Sequence, residues 1–234
     1  GADGSKVGGE FLVNTATSGN QDYPAIASLA NGGFVVSWQD TSNATSDDPN
    51  NIKAQVFGAN GTRVGSEFQV NTVTDGSQGQ PTITGLADGR FVVAWFDDKT
   101  PSGGPLRANV AAQLYSANGV ALGDQFTVNT TPVYTPVLSG GGSPAIRGLA
   151  NGGFVVTWAD FSGTLGDNSS AGVAARVFGA NGLPVGDEFL VNTQTANTQF
   201  APKIADLANG GFAITWNDYS GTLGDDSGTS IKAQ

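Results

Sequence analysis

The sequence predicts an all-β protein: a four-bladed β-propeller of four-stranded antiparallel blades, closed where the N-terminal strand completes the last blade. Three observations predict it. A nine-residue segment occurs four times, strand-like runs and tight-turn signals follow one order inside each repeat, and the two chain ends are complementary.

The recurring segment is Val7-Gly-Gly-Glu-Phe-Leu-Val-Asn-Thr15. It returns at Val64–Thr72, Leu122–Thr130 and Val185–Thr193. A spacing of about 60 residues suits an array or a propeller better than a domain built around one site.

The repeat from Pro24 to Thr72 reads as four strands. Pro24–Leu29 alternates, and Ala30-Asn-Gly-Gly33 supplies the residues that tolerate positive φ in a hairpin turn. Phe34–Trp38 is apolar on both faces. A polar stretch, 39–51, leads to a third strand, Ile52–Phe57. Gly58-Ala-Asn-Gly61 marks the next turn, and Glu67–Val70 is the fourth strand. A sheet that is apolar on both faces must be covered on both, and blades packed side by side do this. The period of two sets Phe34, Val36 and Trp38 on one face and Val35 on the other. Trp38, Trp95, Trp158 and Trp216 hold one position in every repeat and read as core between blades.

The predicted blades span about 24–72, 81–130, 144–193 and 202–234 plus 1–15, in a single domain over 1–234. The last repeat stops at Ile231-Lys-Ala-Gln234, inside its third strand, and the chain opens on a turn followed by a fourth-type strand, Glu10–Val13. Pairing those ends closes the ring and removes the free edge. An open array and four small sandwiches are the competing arrangements.

Composition bounds the function. The net charge is −10, with 10 Lys and Arg against 20 acidic residues, so a nucleic-acid partner is not expected. There is no Cys, His or Met, hence no disulfide, thiolate nucleophile or imidazole base. No apolar run reaches the ~18 residues of a membrane span, so membrane insertion is not expected. The chain reads as a monomeric module.

Alternating strand direction puts the short Asn-Gly turns on one face. The long second-to-third and fourth-to-first segments lie on the other, where binding usually resides. Most of the acidic residues fall in the long segments, which makes that face favour cations. Three loops share the spacing Asp-x-Ser-x4-Asp: Asp40, Ser42, Asp47; Asp160, Ser162, Asp167; Asp218, Ser220, Asp225. Carboxylates, hydroxyls and carbonyls at such spacing suit calcium. The same residues also make local turn hydrogen bonds, and that reading stands beside the first. The second repeat lacks the spacing. Asn14, Asn71, Asn129 and Asn192 read as turn formers. Tyr23, Tyr134, Phe161 and Tyr219 lie in the long segments beside polar groups, where an aromatic ring can stack on a sugar.

Three motifs carry a resemblance. Leu-Ala-Asn-Gly-Gly-Phe-Val-Val-(Ser/Thr)-Trp at 29–38 and 149–158, Asp-Tyr-Ser-Gly-Thr-Leu-Gly-Asp at 218–225 and Ile-Lys-Ala-Gln-Val-Phe-Gly-Ala-Asn-Gly at 52–61 resemble repeats of large bacterial RTX-type calcium-binding adhesins and exoproteins. The resemblance implies a secreted or cell-surface location, type I export and calcium-rich surroundings. The glycine-rich nonapeptides of the RTX calcium roll are absent, so only the Asp-Ser-Asp loops stand as metal candidates. The expected function is a non-enzymatic calcium-binding module of an adhesin, with a surface glycan or matrix component as a further partner. A ligand-free spacer and a polysaccharide-active enzyme are the alternatives.

Overall fold

A computed structural model describes residues 2–44, 50–98, 107–131, 133–134 and 142–234. Four antiparallel sheets follow one another along the chain, and the described residues contain no helix. The first sheet comprises β1 (Gln21–Ser28), β2 (Phe34–Asp40), β3 (Asn51–Phe57) and β4 (Arg63–Gln69). The second comprises β5 (Ser77–Gly85), β6 (Phe91–Asp98), β7 (Arg107–Tyr115) and β8 (Phe126–Thr127), with β9 (Val133–Tyr134) also pairing β7. The third comprises β10 (Ala145–Gly148), β11 (Phe154–Asp160), β12 (Gly172–Phe178) and β13 (Phe189–Leu190). The last has three strands, β14 (Gln199–Asp206), β15 (Phe212–Asp218) and β16 (Ser230–Ala233).

The first hairpins of the first, third and last sheets turn where Asn-Gly-Gly predicts it. Asn31 Oδ1 accepts from Gly33 N at 2.9 Å and Asn151 Oδ1 from Gly153 N at 3.0 Å. A β-carbon at Gly33 or Gly153 would stand 2.3 Å from the carbonyl of Phe57 or Phe178, so only glycine lets these strands approach.

Apolar cores fill the spaces between successive sheets. Val35, Ile52 and Val56 of the first sheet pack with Val93 and Trp95 of the second. Val92, Ala94 and Phe96 turn the other way and meet Val156, Trp158 and Phe178 of the third. Val155 and Val173 meet Ile214 and Trp216 of the last. All four tryptophans are buried, as the two-residue period requires. Trp38 has no preceding sheet; its cluster with Val36 and Phe57 is covered by Val13 from the N-terminal segment.

Successive sheets are also stitched by hydrogen bonds. Thr72 N and Oγ1 donate to Gln125 at 2.7 and 3.0 Å, and Thr130 N and Oγ1 donate to Glu188 at 2.8 and 2.5 Å. Thr15 repeats the pattern on Glu67 at 2.6 and 2.9 Å.

The expected seam is not formed. Glu10–Val13 has no strand assignment and does not pair with β16. Arg63 Nη2 instead donates to the carbonyls of Leu12 and Val13 at 2.7 and 3.1 Å, and Phe11 packs on Phe57 at 5.4 Å. These contacts hold the segment against the first sheet. The outer side of β16 carries Ile231 at 71 % exposure, and the sheets are not closed into a ring.

The repeated Asn residues do more than turn the chain. Asn71, Asn129 and Asn192 are buried, and the Oδ1 of each accepts from the backbone N of Ile52, Val110 or Val173 at 2.7–2.8 Å. Each Nδ2 donates to the carbonyl two residues on, at 2.6–2.9 Å. Each side chain thus continues the ladder where the fourth strand leaves it, satisfying backbone groups that would otherwise be buried and unpaired.

Candidate functional site

The face carrying the long segments is built on the first strands, and these carry a repeated irregularity. Tyr23, Gln80 and Ala201 have φ of 52°, 54° and 53°, each just before Pro24, Pro81 or Pro202. Each falls within a register shift, at Asp22/Ala25, Gly79/Thr82 and Phe200/Lys203. Proline cannot donate to the ladder, so the strand bulges there. A left-handed conformation at a side-chain-bearing residue is strained, and such strain and such bulges gather at binding sites.

The bulges of the first two sheets flank a cleft of about 110 Å³. Tyr23, Gln39, Asn50, Gln80, Phe96 and Asp98 line it. Gln39 Oε1 accepts from Gln80 N at 3.3 Å, and Asn50 Nδ2 donates to Ser77 Oγ at 2.6 Å, so the polar wall is held in place. Tyr23 is 52 % exposed and its ring is free to meet a ligand. An aromatic ring, carboxamides and a carboxylate are the groups that recognise a neutral sugar.

A larger cavity of about 410 Å³ opens at the other ends of β1, β5, β10 and β14, lined by Ile26, Ile83, Ile146, Arg147 and Asp206 among others. Its charges satisfy each other: Arg147 lies 2.5 Å from Asp206 and holds that carboxyl below the usual range. It sits beside the short turns, and we assign it to the axis of the fold rather than to a ligand.

The other proposed stacking residues are dispersed. Tyr219 is 45 % exposed and stacks on Phe200 at 5.7 Å, while Phe161 is half-buried. Tyr134 lies in β9, and its side chain is outside the described structure.

The Asp-x-Ser loops take one local form. Asp40, Asp160 and Asp218 are buried at the ends of β2, β11 and β15. Each accepts from the backbone N of Ser42, Ser162 or Ser220 at 3.0, 2.9 and 2.8 Å, and the serine hydroxyls donate to the same carboxylates. Asp167 is buried, accepts from Ser169 and takes a 3.0 Å bond from Asn192 Nδ2. Asp225 is exposed and accepts from Ser227, and Asp47 falls outside the described residues. Each carboxylate of the Asp160/Asp167 and Asp218/Asp225 pairs thus accepts from its own turn. Among the described residues no three acidic side chains converge as a metal centre.

Sequence reading missed the lysines. Lys53 lies opposite Trp38 in the ladder, and its ammonium reaches Asp40 at 3.2 Å, Glu67 at 3.1 Å and Ser42 Oγ at 3.1 Å. Lys232, opposite Trp216, reaches Asp218 at 2.8 Å, Ser220 Oγ at 2.6 Å and Thr222 Oγ1 at 2.7 Å. Burial works to raise the carboxyls of Asp40 and Asp218, but donation from serine and lysine outweighs it and both lie below the usual range. In the first and last sheets an ammonium therefore stands against the first carboxylate of the spacing assigned to calcium.

Neither a protein-family model nor a curated protein matches this sequence. Solved structures do. A GH93 α-L-arabinofuranosidase of Fusarium graminearum, solved with arabinobiose, has TM-score 0.58 and 10 % identity over 91 % of this chain and 61 % of that one. An endo-arabinase from Bacteroides thetaiotaomicron has TM-score 0.53 and 13 % identity over 95 % and 78 %. An N-acetylgalactosamine deacetylase from F. plautii, solved with blood group B trisaccharide, has TM-score 0.53 and 11 % identity over 95 % and 68 %. The chain thus spans between about three-fifths and four-fifths of these proteins. At such identity the likeness shows the fold, a propeller-like all-β array. It goes against the expectation of a non-enzymatic module, because these structural neighbours are carbohydrate-active enzymes.

Proposed function

We propose that this chain is the glycan-engaging propeller of a polysaccharide-active enzyme. Its four sheets are the blades, arranged about an axis lined by β1, β5, β10 and β14. The observation that carries the reading is the cleft between the first two blades, where strained Tyr23 faces fixed carboxamides and Asp98. The neighbours solved with arabinobiose and blood group B trisaccharide support a neutral sugar as ligand.

Tyr23 stacks on a sugar ring, while Gln39 and Asn50 bond its hydroxyls. Glycoside hydrolysis needs one carboxyl to protonate the leaving oxygen and a second to act on the opposite side of the anomeric carbon. Asp98 supplies one from the cleft wall. Asp22, beside Tyr23 and in register with Gln39, supplies the other. A polysaccharide substrate sets this chemistry outside the cell, in keeping with a Cys-free acidic chain.

The test is reducing-end release from arabinan, arabinoxylan and xylan, with binding to the same glycans measured in parallel. Asp98→Asn should abolish turnover and keep binding, and Tyr23→Ala should weaken binding by about tenfold, the ~1.4 kcal/mol of one stacking contact. Neither turnover nor binding on any of the three, or affinity unmoved by Tyr23→Ala, refutes the assignment.

A further inference from the structure

Inside the row of sheets, each fourth strand is held on two sides. Its own third strand supplies the ladder: the N–H groups of Val70, Val128 and Val191 donate to the carbonyls of Ile52, Val110 and Val173 at 2.7 Å, and the asparagine that follows clamps the N–H of the same residue. The second hold is on the next sheet. There Phe68 packs on Tyr115 at 5.3 Å and Phe126 on Phe178 at 5.4 Å, beside the threonine stitches. Residues 7–15 have the second hold alone. Phe11 meets Phe57 at 5.4 Å and Thr15 is stitched to Glu67, as a fourth strand lies on the sheet after its own. Asn14 Nδ2 donates to the carbonyl of Ala16 and to Gln21 at 2.7 and 3.3 Å, as Asn71 does to Val73 and Gln78 at 2.9 and 3.3 Å. Among the described residues, no third strand lies beside Val13 N and Asn14 Oδ1. An open groove of about 730 Å³ runs there instead, lined by Phe11, Leu12, Phe57 and Gly61 among others. A β-carbon at Gly119 would touch Phe68 and Val56 of the preceding sheet, but one at Gly61, a repeat earlier, would meet nothing within 4 Å.

The last sheet has the opposite lack. Its third strand, Ile231-Lys-Ala-Gln234, repeats Ile52-Lys-Ala-Gln55 residue for residue. Lys232 faces Trp216 as Lys53 faces Trp38, and Ile214 and Gln234 exchange both backbone bonds at 2.9 Å. The alternation of the ladder therefore turns the N–H and carbonyl of Ile231 outward, where those of Ile52 meet Asn71 and Val70. Among the described residues no fourth strand lies beside them, and Ile231 is exposed where Ile52 is buried. The charges are complementary as well. Lys53 binds Asp40 and Glu67, whereas Lys232 binds Asp218 and no glutamate, and Glu10 stands at the place of Glu67 in the recurring segment.

We propose that copies of this chain join head to tail: residues 7–15 of one copy, staying on their own first sheet, serve as the fourth strand of the last sheet of a second copy. Val13 N then donates to the second copy's Ile231 carbonyl, Asn14 Oδ1 accepts from the N–H of that residue, and Glu10 completes the cage of the second copy's Lys232. An open strand edge is a template for such pairing, and Asn14 and Glu10 fix its register. Ile231 of the second copy enters the groove over Val36 and Trp38, as Ile52 lies over Val93 and Trp95 inside the row. The two surfaces differ, so the contact is heterologous and either closes into a ring or extends the row. It is independent of the glycan cleft.

The test is sedimentation velocity of the intact chain from low to high micromolar concentration, where species above the monomer should grow with concentration. Val13→Pro removes the donor of the segment and Ile231→Pro that of the edge, both at N–H groups the ladders within one copy do not use. Each variant alone should stay monomeric. Mixed in equal amounts they should form a heterodimer and nothing larger, because one intact segment meets one intact edge. Should Ile231→Pro not fold, Ile231→Lys takes its place, setting a charge in the contact while keeping the strand. A wild-type chain that is monomeric throughout overturns the proposal, including one whose segment closes on its own last sheet. So does association undiminished in both single variants, which places the contact on another surface, or a mixture that stays monomeric.

Discussion

Replacing Lys53 with methionine keeps the stem of the side chain and removes its charge. The ammonium now bridges Asp40 and Glu67 at 3.2 and 3.1 Å, with side-chain exposures of 11, 1 and 8 % for Lys53, Asp40 and Glu67. Removing one member of so buried a set costs about 3–5 kcal/mol, which for a chain of this size lowers Tm by roughly 6–20 °C. Much of that loss is repulsion between carboxylates no more than about 6 Å apart, worth about 3 kcal/mol at an effective dielectric constant near 20. Lys53→Met with Glu67→Gln recreates the Ala111/Gln125 arrangement of the second sheet and should recover most of that repulsion. Burial raises the carboxyls of Asp40 and Glu67, but donation from Ser42, Thr15 and Lys53 wins and holds both below the ordinary range. Their stabilising contribution is therefore present at neutral pH and fades as pH falls through the carboxylate range. Without the ammonium their affinity for protons rises, so the gap between wild type and variant should narrow from pH 7 to about 4.5. Urea unfolding followed by tryptophan emission at both pH values reads this directly. A loss below about 1 kcal/mol at pH 7, a gap that widens in acid, or a double variant no better than the single one refutes the reasoning.

Trp158→Ala should destabilise by about 3–5 kcal/mol, because the indole fills the core between the second and third sheets; native emission already at the wavelength of free indole contradicts this. Asn192→Ala leaves the N–H of Val173 buried without its partner and should cost about 1–3 kcal/mol by urea titration, with the third sheet losing amide protection first. Burial pushes the Tyr115 hydroxyl up, and it donates to the carbonyl of Val70 at 2.9 Å. Its proton is held more tightly folded than unfolded, so stability should fall as pH climbs past ~10, and ultraviolet titration should find one tyrosine that ionises only on unfolding.

The strands and turns were legible because each depends on neighbours in sequence. Asn31 turns its own hairpin, and the alternation of Val35, Val36 and Trp38 needs no knowledge of the partner sheet. The lysine cage was not legible, since Lys53 and Glu67 meet only once β3 and β4 pair. Trp38↔Lys53 becomes a recognisable position only through the ladder register. The clamp made by Asn71 on Ile52 was hidden for the same reason. The seam misled because the fit of Glu10–Val13 to a fourth strand is local, while its placement is decided by Arg63 on the first sheet. In the site, Tyr23 was visible as an aromatic in a long segment. Its cleft was not, because Gln80 and Asp98 come from the neighbouring sheet.

The threonine stitches have an evolutionary consequence. Each joins the end of one repeat to an acid or amide in the next, at Thr15–Glu67, Thr72–Gln125 and Thr130–Glu188. A duplicated gene segment therefore arrives carrying both halves of the junction, and its product can be spliced into the row without redesigning either neighbour. The second-to-third segments take no part in the junction and can drift freely between copies. Selection can try new ligands on one copy while the others keep the scaffold standing.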